Sequence, residues 1–182
     1  MNLPNILSLL RILSVPLLIW LILEEHPQEA LWLFVCAGLT DALDGFIAKR
    51  LHMETELGRY LDPLADKFLL LSGFITLTFL ERLPLWLTLL VVTRDVVIVG
   101  GALLYQMMTG SLQIKPLWIS KLNTVSQMGL LVLVLGQAVF DPLQSWLAPL
   151  IGLTAITTLI SGTSYLVTWS RLAGQQEPLR RA

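Results

Sequence analysis

The sequence predicts an all-α integral membrane protein with six transmembrane helices and both termini in the cytoplasm. Of its 182 residues, 55% are hydrophobic and only 14% are charged, and the mean hydropathy is +0.73. Soluble domains carry about 25% charged residues. The apolar residues fall into long blocks that approach or exceed the roughly 18–20 residues needed to cross a bilayer. No strand-like alternation competes with them, and lipid favours helices.

The apolar blocks follow one another with short breaks. They cover residues 5–23, 29–50, 58–80, 84–107, 117–140 and 145–170. Prolines stand at the breaks, where helix starts tolerate them: Pro27, Pro84, Pro116 and Pro142. No internal repeat or low-complexity segment divides the chain. We therefore expect a single membrane domain over residues 1–182, in which residues 171–182 form a short cytoplasmic tail.

The first block is expected to be a retained helix and not a signal peptide. Arg11 lies inside the apolar run, no positive segment precedes the run, and no small-residue cleavage site follows it. Cys36 is the single cysteine, which excludes an intramolecular disulfide. The net charge of −1 gives no reason to expect a nucleic-acid partner.

The distribution of lysine and arginine predicts the orientation in the membrane. Six spans place both termini on one side. That side carries Lys49, Arg50, Arg59, Lys115, Lys121, Arg171, Arg180 and Arg181. The other side has Arg82 and otherwise acidic loops. The basic side is therefore expected to be cytoplasmic, and the small size favours a bacterial inner membrane.

Four aspartates interrupt the apolar pattern between the second and third blocks. Asp41 and Asp44 are three residues apart, and Asp62 and Asp66 are four apart, so each pair lies on one helix face. A tight helical hairpin can bring the two faces together near the cytoplasmic boundary. Four carboxylates would cost roughly 10 kcal/mol at the centre of a bilayer. Two divalent cations would offset this cost and leave one carboxylate to act as a base.

The residues around the aspartates suit a ligand that carries phosphate. Gly45, Ala48 and Gly58 are small and let a backbone or a ligand approach closely. Lys49 and Arg50 follow on the second helix and can meet phosphate oxygens.

These residues together resemble the signature of the CDP-alcohol phosphatidyltransferase family. The chain reads D-x2-D-G-x2-A-K-x8-G-x3-D-x3-D from Asp41 to Asp66, where the family has arginine in place of Lys49. Seven of the eight fixed positions agree at the right spacing. The resemblance extends along the chain through the six blocks, Pro4 and Asn5 with Arg11, and a basic element after the fourth block. Lysine keeps the charge but loses the bidentate fork of arginine.

The resemblance implies a reaction and a role for each residue of the motif. Asp41, Asp44, Asp62 and Asp66 would hold two Mg²⁺ or Mn²⁺ ions on the diphosphate of CDP-diacylglycerol. Asp66 would also act as the base that takes a proton from an acceptor hydroxyl, and CMP would leave. The nucleotide would be bound by Gly45, Ala48, Lys49 and Gly58. The resemblance also implies a homodimer whose site opens to the cytoplasm.

The acceptor depends on residues in the fourth and fifth blocks. Relatives that use glycerol 3-phosphate usually have Arg-Glu in the fourth span and G-K-x-K-T in the fifth. Here the fourth block has Arg94-Asp95, and residues 120–124 read S-K-L-N-T, with Asn123 at the second lysine position. This pattern resembles cardiolipin synthases, whose acceptor is phosphatidylglycerol. Arg94, Lys115, Lys121 and Asn123 are the candidate acceptor-binding residues.

Other interpretations remain open for several residues. Phosphatidylglycerophosphate synthase, with glycerol 3-phosphate as acceptor, is the alternative enzyme. A divalent cation transporter is a more remote possibility, because intramembrane carboxylates also mark ion pathways. Arg94 and Asp95 could form an ordinary intramembrane pair, Arg11 could anchor its helix or enter the site, and Lys115 and Lys121 could be plain positive-inside charges.

Overall fold

The computed structural model is built from α-helices. It describes residues 3–51, 56–109, 118–137 and 141–176, with side chains at 9–40, 65–102, 104, 107, 118–137 and 144–169. The helices are α1 (Leu3–Leu23), α2 (Pro27–Leu51), α3 (Glu56–Phe79), α4 (Leu85–Thr109), α5 (Trp118–Gln137) and α6 (Leu147–Gln176), and a 3₁₀ turn at Asp141–Trp146 precedes α6. No strand occurs among these residues. The predicted helical class is confirmed, and the helices lie close to the predicted blocks.

Three segments within the described residues are long and apolar enough to cross a membrane. They are Leu85–Ala102, Trp118–Gln137 and Gln144–Trp169. In α1, whose described side chains begin at residue 9, the apolar segment is Leu9–Leu23. These findings agree with a membrane protein, while six spans with both termini in the cytoplasm stay a prediction.

The chain divides into two compact units, and the first is an apolar helical cluster. It comprises Met1–Pro84 and Met128–Leu147. Within it α1 packs against α2 and α3, because buried Leu18 and Phe74 present apolar side chains to the interior. A Cβ atom at Gly73 would lie 3.1 Å from Cδ1 of Leu131, so α3 and the second half of α5 approach closely.

The first and third helices end in the same way. The backbone N–H of His26 donates to the carbonyl of Leu21, and that of Arg82 donates to Leu77, both at 2.9 Å. The preceding residues, Glu25 and Glu81, each have φ of 58°, the left-handed conformation usually taken by glycine at this position. Nη2 of Arg82 also lies 4.0 Å from a carboxylate oxygen of Glu25, which places the two loops at the same end of this unit.

The second unit has a polar interior. It comprises Leu85–Gln127 and Ala148–Ala182, and therefore contains α4, the first half of α5 and nearly all of α6. Apart from Arg11 and Thr76, every buried polar or charged side chain that the structure describes lies in this unit. Buried polar side chains within apolar membrane helices often mark a functional region, because such groups are otherwise disfavoured there.

Exposed tryptophans mark the ends of several helices. More than half of the side-chain surface is accessible in Trp20, Trp32, Trp86, Trp118 and Trp146. Tryptophan is enriched at the membrane–water interface, since its ring is apolar and its N–H is polar. The sixth tryptophan, Trp169, lies instead against Gly101 inside the second unit.

Candidate active site

The predicted metal and nucleotide residues lie on α2 and α3 of the first unit. Asp41, Asp44, Gly45, Ala48 and Lys49 fall in the second half of α2, and Gly58, Asp62 and Asp66 fall in the first half of α3. Both helices of the predicted hairpin are thus present. Of these side chains only that of Asp66 is described, and the other seven lie outside the described side chains. The predicted meeting of four carboxylates therefore stays a prediction.

Asp66 forms an ion pair with Arg11. Nη1 of Arg11 donates to Oδ1 of Asp66 at 3.0 Å, which connects α1 with the last aspartate of the motif. The side chain of Arg11 is 3% exposed and that of Asp66 is 28% exposed. The arginine is therefore enclosed, while the carboxylate keeps an accessible surface.

Arg11 is the residue that sequence reasoning left undecided between a helix anchor and a site residue. An arginine within an apolar run is the relevant signal, because a buried cation requires an anionic or polar partner. The sequence contains several acidic residues and does not show which of them Arg11 contacts. The structure shows Asp66 as a partner, so Arg11 contacts the predicted catalytic residue.

Arg94 connects three helices of the second unit. Its Nε and Nη2 donate to Oγ of Ser161 in α6 at 3.1 and 2.7 Å, and Nη2 also donates to Oγ of Ser120 in α5. Nη1 donates to Oδ1 of Asp95 at 2.7 Å. The adjacent residues Arg94 and Asp95 do pair, because the long arginine side chain turns back toward its neighbour. The described contacts use four of the five guanidinium N–H groups, so most of the hydrogen-bonding capacity of Arg94 holds helices together.

The other predicted acceptor residues differ in environment. Lys115 lies outside the described residues, and Lys121 is exposed near the start of α5. Asn123 is fully buried. Its Oδ1 accepts hydrogen bonds from Oγ1 of Thr157 at 3.0 Å and from Oγ1 of Thr158 at 2.7 Å, both in α6. Sequence reasoning did not single out these threonines, since hydroxyl residues are common in apolar helices.

A cavity of about 430 Å³ lies between α4 and α6 in the second unit. Trp86, Leu90 and Leu166 are among the apolar side chains that line it, and Arg94 and Thr158 add polar atoms. A Cβ atom at Gly162 would lie 3.5 Å from Cγ of Arg94, so the aliphatic part of the arginine packs against this glycine. Arg94 and Thr158 therefore border a largely apolar space.

Comparison with known protein families places these features in context. Residues 1–167 match the model of the CDP-alcohol phosphatidyltransferase family, and this range includes the whole aspartate motif. The chain belongs to the CDP-alcohol phosphatidyltransferase family. The family assignment made from the motif is thereby confirmed.

The relatives carry the names of two kinds of enzyme. The chain is 38% identical over 181 residues to the cardiolipin synthase (CMP-forming) of Rattus norvegicus, covering 90% of this chain and 60% of the rat protein. It is 34% identical over 195 residues to the chloroplastic CDP-diacylglycerol–glycerol-3-phosphate 3-phosphatidyltransferase 1 of Oryza sativa, covering 94% and 58%. It is 33% identical over 174 residues to a probable phosphatidylglycerophosphate synthase of Mycobacterium tuberculosis, covering 91% and 80%. The chain thus spans about 60% of the length of the rat and rice phosphatidyltransferases.

Proposed function

We propose that this chain is a membrane enzyme that transfers a phosphatidyl group from CDP-diacylglycerol to a hydroxyl of a glycerol-type acceptor. The oxygen–phosphorus bond to the acceptor forms, the bond between phosphorus and CMP breaks, and CMP is released. The observation that carries the proposal is the aspartate motif from Asp41 to Asp66 in a chain that belongs to the CDP-alcohol phosphatidyltransferase family. The proposed location is a bacterial inner membrane with the site facing the cytoplasm, and the proposed assembly is a homodimer.

Asp66 is proposed as the base. Its carboxylate would accept the proton of the acceptor hydroxyl as the oxygen attacks phosphorus. Arg11 would fix the orientation of this carboxylate through the 3.0 Å contact, which is a charge-assisted hydrogen bond. The partial exposure of the Asp66 side chain leaves the carboxylate accessible to a substrate.

The motif carboxylates suit hard divalent cations. Asp41 and Asp44 on α2, and Asp62 and Asp66 on α3, would supply oxygen ligands from two helices of one compact unit. Two Mg²⁺ or Mn²⁺ ions bound there would offset the negative charge of the diphosphate. Gly45, Ala48 and Gly58 would leave room for the nucleotide, and Lys49 would lie near its phosphates.

Phosphatidylglycerol is the acceptor that we favour. A phosphomonoester such as glycerol 3-phosphate carries nearly two negative charges and requires several cations, whereas a phosphodiester carries one. Asn123, at the second lysine position, is neutral and buried, and Arg94 is largely engaged by Asp95, Ser120 and Ser161. Lys121 and Lys115 are then the main candidates to meet the acceptor phosphate. The alternative is phosphatidylglycerophosphate synthase, which the names of some relatives favour.

CMP release by the purified protein tests the proposal. The assay supplies CDP-diacylglycerol and Mg²⁺ or Mn²⁺, with either phosphatidylglycerol or glycerol 3-phosphate. We expect release with phosphatidylglycerol and its loss on chelation of the metal. Release only with glycerol 3-phosphate would establish the alternative acceptor. Uptake of Mg²⁺ or Mn²⁺ into liposomes without CDP-lipid, together with no CMP release, would favour a cation transporter instead.

A further inference from the structure

The cavity between α4 and α6 is a groove that runs along both helices of the second unit. The residues of α4 that line it are spaced by three or four positions and therefore form one helix face. They are Trp86, Leu89, Leu90, Thr93, Arg94 and Val97. The lining residues of α6, between Thr158 and Leu166, follow a similar spacing. We call this feature the α4–α6 groove.

The α4–α6 groove lies within two helices that can cross a membrane. Its α4 side belongs to the apolar segment Leu85–Ala102, and its α6 side belongs to Gln144–Trp169. The side chains of Leu89 and Leu159, which line it, are 56% and 54% exposed, so the groove is open at the surface. In a membrane, apolar side chains exposed within a spanning segment are surrounded by lipid acyl chains.

Polar side chains that line the groove direct their hydrogen bonds elsewhere. The guanidinium of Arg94 pairs with the carboxylate of Asp95 at 2.7 Å, and the aliphatic part of Arg94 packs against Gly162. Oγ1 of Thr158 donates to a side chain of α5 at 2.7 Å. Oγ1 of Thr163 donates to a backbone carbonyl of its own helix at 2.8 Å. The groove therefore favours an apolar occupant over a charged headgroup.

The dimensions of the groove fit a single acyl chain. The α4 side extends over eleven residue steps, from Trp86 to Val97, or about 16 Å at 1.5 Å per residue. Dividing the volume of about 430 Å³ by this length gives a mean cross-section of about 26 Å². A helix with its side chains is about 10–12 Å wide and cannot enter such a space. A methylene group occupies roughly as much space as a water molecule, about 30 Å³, so the volume corresponds to roughly fourteen methylene groups.

We propose that the α4–α6 groove binds one acyl chain of a bilayer phospholipid, which lies parallel to the two helices. This site is separate from the aspartate motif and goes beyond the proposed reaction. Lipid tails are as apolar as leucine, so entry into the groove brings little hydrophobic gain within a membrane. Binding depends on the van der Waals contacts that the walls offer on both sides of the chain. A side chain that fills the groove should therefore prevent binding.

The test uses a phosphatidylcholine that carries a photoreactive diazirine in the middle of one acyl chain. The full-length protein in dodecyl maltoside micelles is irradiated at increasing mole fractions of this probe, and labelled peptides are mapped by mass spectrometry. Labelling of residues 86–97 and 158–166 should saturate, and unlabelled phosphatidylcholine should suppress it. Labelling of exposed residues outside the groove, such as Val99 and Ile156, should rise in proportion to the mole fraction.

Gly162→Leu fills the groove, and Gly152→Leu is the matched control in the same helix. A Cβ atom at Gly162 would lie at an ordinary contact distance of 3.5 Å from Arg94, and one at Gly152 would meet nothing within 4 Å. Gly162→Leu should lower saturable labelling at least about fivefold, because leucine occupies the space where the acyl chain makes its contacts. Gly152→Leu, which lies outside the lining, should leave it unchanged.

A second pair of variants applies if Gly162→Leu does not fold, as judged by gel filtration and thermal unfolding. Thr163→Phe enlarges an exposed side chain of the groove lining. Ile160→Phe enlarges an exposed side chain of α6 outside the lining and is its control. Saturable labelling should fall in Thr163→Phe and be retained in Ile160→Phe.

The outcomes distinguish this inference from the proposed function. Groove labelling that never saturates, or that persists undiminished in a folded groove-filling variant, would overturn the inference. An unlabelled groove in a dimer that Gly162→Leu converts to a monomer would also overturn it and assign the groove to a second copy of the chain. Phosphatidylcholine is neither the proposed donor nor the proposed acceptor. Saturable labelling without any CMP release would therefore reject the proposed function and leave the inference standing.

Discussion

Nη1 of Arg11 and Oδ1 of Asp66 lie 3.0 Å apart, and they join the first helix to the last aspartate of the motif. The contact links a residue that helps to hold the fold with one that we propose performs the chemistry. We therefore expect replacement of Arg11 to lower stability and replacement of Asp66 to lower activity.

Replacing Arg11 by leucine should lower the free energy of unfolding by about 1–3 kcal/mol, because it leaves the Asp66 carboxylate without this cation. Chemical denaturation in detergent micelles measures the change. Arg82→Leu is the matched control, since Arg82 and Glu25 are 4.0 Å apart and more exposed. Exposed pairs of this kind contribute about 0–1 kcal/mol. Equal losses in the two variants would contradict a special role for the Arg11 contact.

Asp66→Asn should reduce CMP release by about 10²–10⁴-fold, because the amide cannot take the proton of the acceptor hydroxyl. Metal-dependent binding of CDP-diacylglycerol should be largely retained, and equilibrium binding with a radiolabelled lipid measures it. Glu54→Gln, which changes an acid expected in the loop between α2 and α3, should keep activity. A fully active Asp66→Asn variant would remove Asp66 from the role of base.

Arg94→Lys should lower the free energy of unfolding by about 1–3 kcal/mol, although the charge is kept. A lysine ammonium cannot reach Ser120 and Ser161 in the way that the planar guanidinium does. Thermal unfolding measures the effect, and Ser161→Ala should give a smaller loss of about 1 kcal/mol. Unchanged stability in Arg94→Lys, with a strongly raised KM for the acceptor, would instead favour direct acceptor binding by Arg94.

The adjacent glycines of α4 provide another comparison. A Cβ atom at Gly101 would lie 2.5 Å from Nε1 of Trp169, whereas one at Gly100 would meet nothing within 4 Å. Gly101→Ala should therefore destabilise the protein by about 1–3 kcal/mol through overpacking. Gly100→Ala should be neutral or stabilising by up to about 1 kcal/mol, because alanine favours a helix. The melting temperature should fall in Gly101→Ala and should stay the same or rise in Gly100→Ala. An equal shift in both variants would contradict the close packing of Trp169 against Gly101.

Replacing Glu25 or Glu81 by glycine should stabilise the protein by roughly 0.5–1 kcal/mol per position. Both residues have φ of 58°, which glycine adopts without steric conflict. Glu24→Gly is the control. The backbone N–H of Glu24 donates to the carbonyl of Trp20 as in a helix, so glycine at this position should destabilise the protein. Thermal unfolding of the three variants gives the comparison. A loss of stability in Glu25→Gly and Glu81→Gly would contradict this prediction. It would show that the glutamate side chains stabilise the protein by more than their positive φ destabilises it.

The sequence predicted the helices and the family because both depend on local patterns. Apolar block length and the spacing of Asp41 to Asp66 can be measured along the chain without any knowledge of packing. The polar interior of the second unit could not be predicted in this way. Spacing shows that Thr154 and Thr158 share a helix face, but not that this face meets Asn123.

The length of the arginine side chain explains why the contacts of Arg94 and Arg11 could not be predicted from the sequence. Neighbouring residues on a helix point in different directions, so spacing alone did not decide whether Arg94 and Asp95 form a pair. The guanidinium lies several bonds from the backbone and reaches Asp95 as well as α5 and α6. In the same way, the sequence marked Arg11 as unusual without showing that Asp66 is its partner.

The exposed tryptophans at the helix ends give the protein five intrinsic fluorophores at known positions: Trp20, Trp32, Trp86, Trp118 and Trp146. Bromine atoms on lipid acyl chains quench indole emission over short range. In bilayers brominated at different carbons, proteins that retain one of these tryptophans would report the depth of that helix end. The proposed topology could then be measured spectroscopically, without attaching a foreign label.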